Sequence, residues 1–285
     1  MYNFFNLSRR FPILKLTFVG AGSMAEAIIS GLIEKNIFSH EQIYVTNHQN
    51  KQRLATLAHT YGIKGSYDNH ELFDQANIIV LAMKPKDVKD ALETIRPYVS
   101  HHTLIISVIA GISTSFIAQN LSQSQSIARA MPNTSAAVGK SATAISVNSY
   151  VTKEQEQMAM DLFSAIGISV IVEEKQLDAV TGISGSGPAY FYFVVESMQK
   201  AAEQLGLDKE MATLLIHQTI YGAAEMLMSS QKDAQELRSK VTSPGGTTEA
   251  GINRMKELKL DESIVEGIKA ASIRSQQLAE QFEKN

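Results

Sequence analysis

Among its 285 residues the chain has no cysteine. That excludes disulfides, a thiolate nucleophile and cysteine-ligated zinc, fits a reducing compartment, and makes the cytoplasm the expected location. No metal site is expected. Excess charge of one sign is also missing: a net charge of −3 gives no electrostatic case for nucleic acid or an anionic membrane as partner. Long apolar runs are scarce. The longest in the second half, from Pro188 to Val195, falls far short of the roughly 18 residues a spanning helix requires. Residues 1–14 are Phe-rich and basic, but Arg9 and Arg10 interrupt any run that would serve as the apolar part of a secretory signal, so a loosely packed extension is expected there. What remains is ordinary. Hydrophobic residues at 44% and charged residues at 19% describe a globular protein long enough for two modest domains, with neither a repeat nor a low-complexity tract.

The first half reads as alternating strands and helices. Residues 15–19 suit a buried parallel strand that opens into Gly20, Ala21, Gly22, Ser23, Met24 and Ala25, after which a helical apolar pattern begins. In a strand–turn–helix of this kind Gly20 allows the tight turn and Gly22 lets backbone approach a pyrophosphate, while Ala25 is the small residue where helix and strand pack closely. A dinucleotide site is expected there, with a plain structural turn as the alternative. The next strand, 42–46, ends at Thr46 and continues through Asn47 and His48 to Lys51 and Arg53. An Asp or Glu for the ribose 2′-hydroxyl is missing from this stretch, and Asn47, His48, Lys51 or Arg53 would tolerate a 2′-phosphate, which favours NADPH with NADH as the alternative. For Lys51 and Arg53 a solvated helix face is the competing reading. A third strand, 77–82, ends in Met83 and Lys84 before Pro85 starts a helix. Further strands are expected at 102–107, 126–130, 143–147 and 169–172, with a helix over 152–166. The fold class is therefore α/β: a Rossmann-type, doubly wound, mostly parallel sheet over 15–174, followed by an all-helical C-terminal domain over 175–285.

That second half carries helical periods only. Residues 181–188, rich in Gly and Ser, punctuate the entry to a helix apolar nearly all round, which must be buried in its own core or against a second copy, so a homo-oligomer is expected. Gly185 and Gly187 serve close helix packing or ligand contact. His217, among leucines and isoleucines, reads as a core or interface residue rather than a base.

The stretch Val241-Thr-Ser-Pro-Gly-Gly-Thr-Thr-Glu-Ala-Gly251 is a loop feeding a helix N-terminus. Pro244 fixes one φ, Gly245 and Gly246 turn the backbone, and Thr247 and Thr248 bring hydroxyls to a place where free amides and the positive dipole end gather. A small carboxylate would fit there; a plain helix cap is the alternative. A nucleotide domain joined to a helical one points to hydride transfer to or from a small-molecule substrate. Oxidising an alcohol needs a base such as His or Lys, and the first turns after Gly187 hold neither. Reducing a protonated imine needs only orientation, a carboxylate anchor and a hydroxyl near the nitrogen, a description Thr247 and Thr248 meet.

Five motifs in order carry a resemblance: Gly20-x-Gly22-x-Met24, Leu81-Ala-Met-Lys-Pro85, Ala130-Met-Pro-Asn-Thr134, Asp178-Ala-Val-Thr-Gly-Ile-Ser-Gly-Ser-Gly-Pro-Ala-Tyr190 and the stretch from Val241 to Ile252. Together they resemble the motif set of the pyrroline-5-carboxylate reductases. The resemblance implies reduction of 1-pyrroline-5-carboxylate to L-proline with NAD(P)H, the last step of proline biosynthesis. It further implies that Ser243, Gly245, Gly246, Thr247 and Thr248 bind the substrate carboxylate and that Thr248 bonds the ring nitrogen. Asn69, the turn from Gly20 to Met24, and Ala82, Met83 and Lys84 are implied to contact the cofactor. Helical domains paired into a homodimer, assembled further into decamers, are implied as well. The chain departs from the common pattern at Ser23, Ala25 and His48. A related NADP-dependent imine or hydroxyacid reductase and a non-catalytic dinucleotide-binding regulatory protein are the competing readings.

Overall fold

The computed structural model describes residues 14–283, so the expected N-terminal extension lies, apart from its last residue, outside the described residues. The chain forms two compact units, one running up to Ser186 and joined by the segment from Ala271, the other Gly187–Ala270. Residues 175–186 thus group with the sheet, beyond the division expected near Glu174.

Eight strands make up the sheet of the first unit: β1 (Leu16–Val19), β2 (Ile43–Thr46), β3 (Lys64–Gly65), β4 (Ile78–Leu81), β5 (Leu104–Ser107), β6 (Ile127–Met131), β7 (Ser141–Val147) and β8 (Gly167–Ile171). Their order is β3-β2-β1-β4-β5-β6-β7-β8, with β7 antiparallel to β6 and the other pairs parallel. Helices α1 (Ser23–Glu34), α2 (Lys51–Tyr61), α3 (Asn69–Phe73), α4 (Val88–Ile95), α5 (Thr114–Asn120) and α6 (Lys153–Ser164) connect them. Because side chains alternate across a strand, Leu16, Phe18, Ile78, Val80, Leu104 and Ile106 share one core with α1, α2 and α6. Ile79, Leu81, Ile105 and Ile127 share the other with α3, α4 and α5. Both faces are covered. That is why β4 and β5 are apolar almost throughout and buried at every position.

From β1 the chain winds outward through β2 and β3, then crosses back to β4 beside β1. The strand order reverses there, and in open α/β sheets the crevice at such a reversal, beyond the strands' carboxyl ends, is where ligands bind.

After β8 come α7 (Leu177–Val180) and a single π-helical turn, Thr181–Gly185. The expected punctuation is therefore helical. The Thr181 and Ser184 hydroxyls donate to the Leu177 and Val180 carbonyls, and the Ser186 amide reaches the Thr181 carbonyl at 2.8 Å, so side chains supply bonding that a Gly-rich segment lacks.

The second unit contains α8 (Gly187–Gln204), α9 (Lys209–Ser229), α10 (Ala234–Lys240), α11 (Thr247–Glu257) and the start of α12 (Leu260–Glu283), whose last turns belong to the first unit. Helix α8 ends in a Schellman motif: with Gly206 at φ +79°, its amide bonds the Glu203 carbonyl and the Leu207 amide that of Ala202. Asp208 then caps α9 through the Glu210 and Met211 amides. Little of this unit's apolar surface is buried within one chain. Phe191 is 64% exposed, Phe193 69% and Leu214 70%. Its own unit therefore does not bury the apolar face of α8 within the single chain. His217 is likewise exposed.

Candidate active site

The glycine turn sits at the strand-order reversal. Gly20 follows β1 with φ +116°; its amide bonds the Thr46 carbonyl at 2.9 Å, while the Ala82 amide bonds the Val19 carbonyl at 2.8 Å. A Cβ on Gly20 would overlap the Ala82 carbonyl. Gly22 differs: it is the N-cap of α1 at φ −77°, and a Cβ there would meet nothing within 4 Å. No side chain caps α1. Its first-turn amides, from Ser23 and Met24 onward, therefore face open space at a positive dipole end, a cradle that fits a pyrophosphate. Ala21, beside it, is buried. Ala82, Met83 and the exposed Lys84 continue from the end of β4 next to this turn.

At the end of β2 the side chain of Asn47 is already engaged. Its Oδ1 accepts from the Asn50 amide at 2.8 Å and from the Tyr67 hydroxyl at 2.9 Å, and its Nδ2 donates to the Asn50 carbonyl. His48 and Lys51 are exposed. Arg53 is turned back toward α1, donating to the Ala21 carbonyl and pairing with Glu26. Asn69 opens α3 two residues after Tyr67, so the Tyr67–Asn47 bond ties its segment to the end of β2. Thus Gly20, Ala21, Gly22, Ser23, Met24, Thr46, Asn47, His48, Ala82, Met83 and Lys84 gather at the carboxyl ends of three adjacent strands.

Two further motifs meet in the first unit. The buried Asn133 donates through Nδ2 to the Ser184 carbonyl at 3.0 Å, and Met131 is the nearest neighbour a Cβ on Gly185 would have. That contact is at ordinary van der Waals distance, so the approach of the π-helical turn to the end of β6 does not itself require a glycine there. Sequence periodicity held no sign of this pairing.

In the second unit, residues 243–246 form a type II turn. The Gly246 amide bonds the Ser243 carbonyl at 3.0 Å, with Pro244 fixing φ at the first corner and Gly245 supplying φ +74° at the second. Gly246 is the N-cap of α11 and has no side chain to cap it. The Gly245 amide is taken by the Glu249 carboxylate at 2.8 Å. With both glycine amides satisfied inside the loop, the first-turn amides of Thr247, Thr248 and Glu249 precede the first full helical bond, from the Ala250 amide to the Gly246 carbonyl, and the hydroxyl-bearing residues Ser243, Thr247 and Thr248 beside them are exposed. Gly245 and Gly246 thus shape the turn, and Thr247 and Thr248 open the helix that follows it. Glu249 was absent from the sequence-based candidates, although a Glu three residues past an N-cap is a known bracing pattern.

A family model described as pyrroline-5-carboxylate reductase dimerisation matches residues 174–278, and one described as NADP oxidoreductase, coenzyme F420-dependent, matches residues 15–111. The chain is 46% identical to pyrroline-5-carboxylate reductase 2 of Bacillus subtilis, over 94% of this chain and 96% of that one. This chain belongs to the pyrroline-5-carboxylate reductase family. Among solved structures, a pyrroline-5-carboxylate reductase from Coxiella burnetii superposes with a TM-score of 0.88 at 37% identity, covering 93% of this chain and 98% of that one. The Plasmodium falciparum pyrroline carboxylate reductase with NADP bound gives 0.84 at 30% identity, with the same coverage.

Within this pyrroline-5-carboxylate reductase fold, a half-buried carboxylate pins the segment between β8 and α7. Glu174 accepts from Arg129 Nη1 at 2.8 Å and from the Thr114 amide and hydroxyl at 2.8 and 2.5 Å. Burial alone would raise its pKa, but the Arg129 and Thr114 bonds outweigh it and hold the carboxyl below the ordinary range. A carboxyl with a lower pKa folded than unfolded contributes stability that is complete above the unfolded value, about 4.3, and fades as pH falls through the folded value. Glu174→Gln is expected to cost about 1–3 kcal/mol at pH 7 and to flatten the loss of stability below about pH 4. Urea unfolding at pH 7 and pH 3.5 checks this; equal pH dependence in both proteins would contradict it.

Proposed function

We propose that the chain reduces 1-pyrroline-5-carboxylate to L-proline with NADPH, the last step of proline biosynthesis, using the glycine turn for the dinucleotide and residues 243–248 for the substrate. The observation that carries the substrate assignment is the uncapped N-terminus of α11, where the inner turn consumes both glycine amides and leaves those of Thr247 and Thr248 ahead of the first full helical bond. These two amides take the carboxylate. The Thr248 hydroxyl holds the ring nitrogen, and Ser243 closes the anion's other side. Reduced nicotinamide, when bound, supplies a hydride to the carbon of the protonated C=N bond. The nitrogen keeps the proton it carries and gains the electron pair of the broken π bond, so the residues around it need only orient and hold charge.

NADPH is preferred over NADH because the residues after β2 present His48 and Lys51, and no carboxylate, to the 2′-position. Thr46→Asp is expected to raise the Kd for NADPH relative to NADH by about tenfold or more, through repulsion of the added phosphate. An unchanged ratio would place the ribose elsewhere. The exposed apolar faces of α8 and α9 support a homodimer through the helical domain, from which a decamer is built; light scattering showing a monomer at micromolar concentration would contradict this. A cytoplasmic location belongs to the same reading. The deciding assay follows NADPH oxidation with 1-pyrroline-5-carboxylate, 2-keto acids and 3-keto acids. Turnover of the cyclic imine is expected, and turnover of a keto acid alone would overturn the proposal.

A further inference from the structure

The sequence left Arg53 open as a 2′-phosphate contact or a solvated charge, and the structure gives it other partners. Its backbone amide is held by the Asn50 side chain that caps α2. From there the guanidinium reaches across to α1, with Nε donating to the Ala21 carbonyl at 2.9 Å and Nη2 pairing with Glu26 Oε2 at 2.5 Å. Tyr61, on the last turn of α2, donates to the other Glu26 oxygen at 3.3 Å. Both charged side chains are more than half withdrawn from solvent. Ala21 lies between the two glycines of the dinucleotide turn, and Glu26 closes the first turn of α1, its amide bonded to the Gly22 carbonyl.

Glu26 therefore puts a negative charge within one helical turn of the amides that receive a pyrophosphate. Left alone it would oppose that anion. We propose that Arg53 is a positioning residue for both dinucleotides: it fixes the Ala21 peptide of the glycine turn and neutralises Glu26, and it is not a ligand of the 2′-phosphate. Recognition of that phosphate then rests on Lys51 and His48, the exposed basic side chains at the start of α2 and just before it. The inference builds on the assignment of the dinucleotide to the glycine turn.

Direct titration of the full-length protein with NADPH and with NADH, by calorimetry, tests it. Arg53→Met is expected to weaken both by a similar factor, about tenfold, leaving their ratio unchanged within about twofold, and Arg53→Met with Glu26→Gln is expected to recover most of the loss. Lys51→Ala is expected to weaken NADPH alone. Three results would overturn the proposal: Arg53→Met weakening NADPH alone, Arg53→Met leaving both affinities unchanged, or the double variant binding no better than the single one. Should Arg53→Met fail to fold, Glu26→Gln by itself carries the test: both cofactors should bind at least as tightly with an unaltered ratio, and weaker binding of both would contradict the neutralising role. Gly22→Ala in the same titration separates this inference from the one beneath it. If that variant binds normally, the dinucleotide does not lie on the glycine turn; if it binds weakly while Arg53→Met does not, only the role of Arg53 fails.

Discussion

Thr248→Ala is expected to lower kcat/KM for the cyclic imine by about tenfold or more, because a hydrogen bond to a charged partner is worth roughly 1.5–3 kcal/mol. Thr248 is the second residue of α11, exposed in the single chain, so truncating it opens no cavity and disturbs no core. Stability should stay within about 0.5 kcal/mol of the parent. The backbone amide persists in the variant, so the carboxylate anchor remains and the loss should fall mainly on kcat, with KM changing less. Thr248→Ser keeps the hydroxyl and should retain most of the activity. Steady-state kinetics of the three proteins decide the matter. Equal kcat/KM for parent and alanine variant would remove the hydroxyl from the mechanism.

Two glycines two positions apart, Gly20 and Gly22, are expected to fail in different ways. Gly20→Ala forces a side chain into φ +116° and against the Ala82 carbonyl, so β1 and β4 must separate or the turn must rearrange. A conformation of that kind costs about 1–2 kcal/mol and the backbone shift a further 1–3, giving a total of roughly 2–5 kcal/mol, with cofactor affinity falling as the turn moves. Gly22→Ala has an ordinary backbone angle and no neighbour to meet. It should fold as stably as the parent yet bind the dinucleotide more weakly by about tenfold or more, because its methyl group occupies the space a pyrophosphate takes. Thermal unfolding and calorimetric titration of both variants test the contrast. A Gly22→Ala protein with normal affinity, or a Gly20→Ala protein with normal stability, would show that these glycines do not play the parts assigned to them.

How much of this was legible in the sequence depended on whether the cause was local. Strands β1, β4 and β5 read clearly, because a parallel strand covered on both faces is a nearly continuous apolar run. The two-residue β3, Lys64–Gly65, has no apolar pattern at all; it exists because Tyr44 and Val45 of β2 offer it an edge. The Gly-rich entry to α8 carries every mark of a break, yet it is helical, with the Thr181 and Ser184 hydroxyls bonding carbonyls one turn back and Asn133, just past the end of β6, bonding the Ser184 carbonyl. The apolar character of α8 was also readable, but the expected burial is not found in the single chain, where its apolar face is largely exposed.

The site divides along the same line. The turns at Gly20–Gly22 and at 243–246 were readable because their backbone conformations follow from glycine and proline within a few residues. Side-chain roles that depend on distant partners were not readable. Asn47 is a candidate cofactor contact, and its bond to Tyr67, twenty residues along the chain, could not be read from the pattern. Arg53 could not be told from a surface charge until Glu26 and Ala21 came beside it. Glu249 acts on Gly245 only once the type II turn has pointed that amide inward.

The central claim is that the anionic ring of the substrate is held by the amides of Thr247 and Thr248 at the N-terminus of α11 and is reduced without a side-chain acid or base. The most direct measurement is a crystal structure of the assembled enzyme with NADP and L-proline. The account predicts the proline carboxylate within about 3.2 Å of those two amides and the ring nitrogen within hydrogen-bond reach of the Thr248 hydroxyl. A carboxylate bound elsewhere, or a His, Lys, Asp or Glu side chain on the ring nitrogen in place of Thr248, would contradict it.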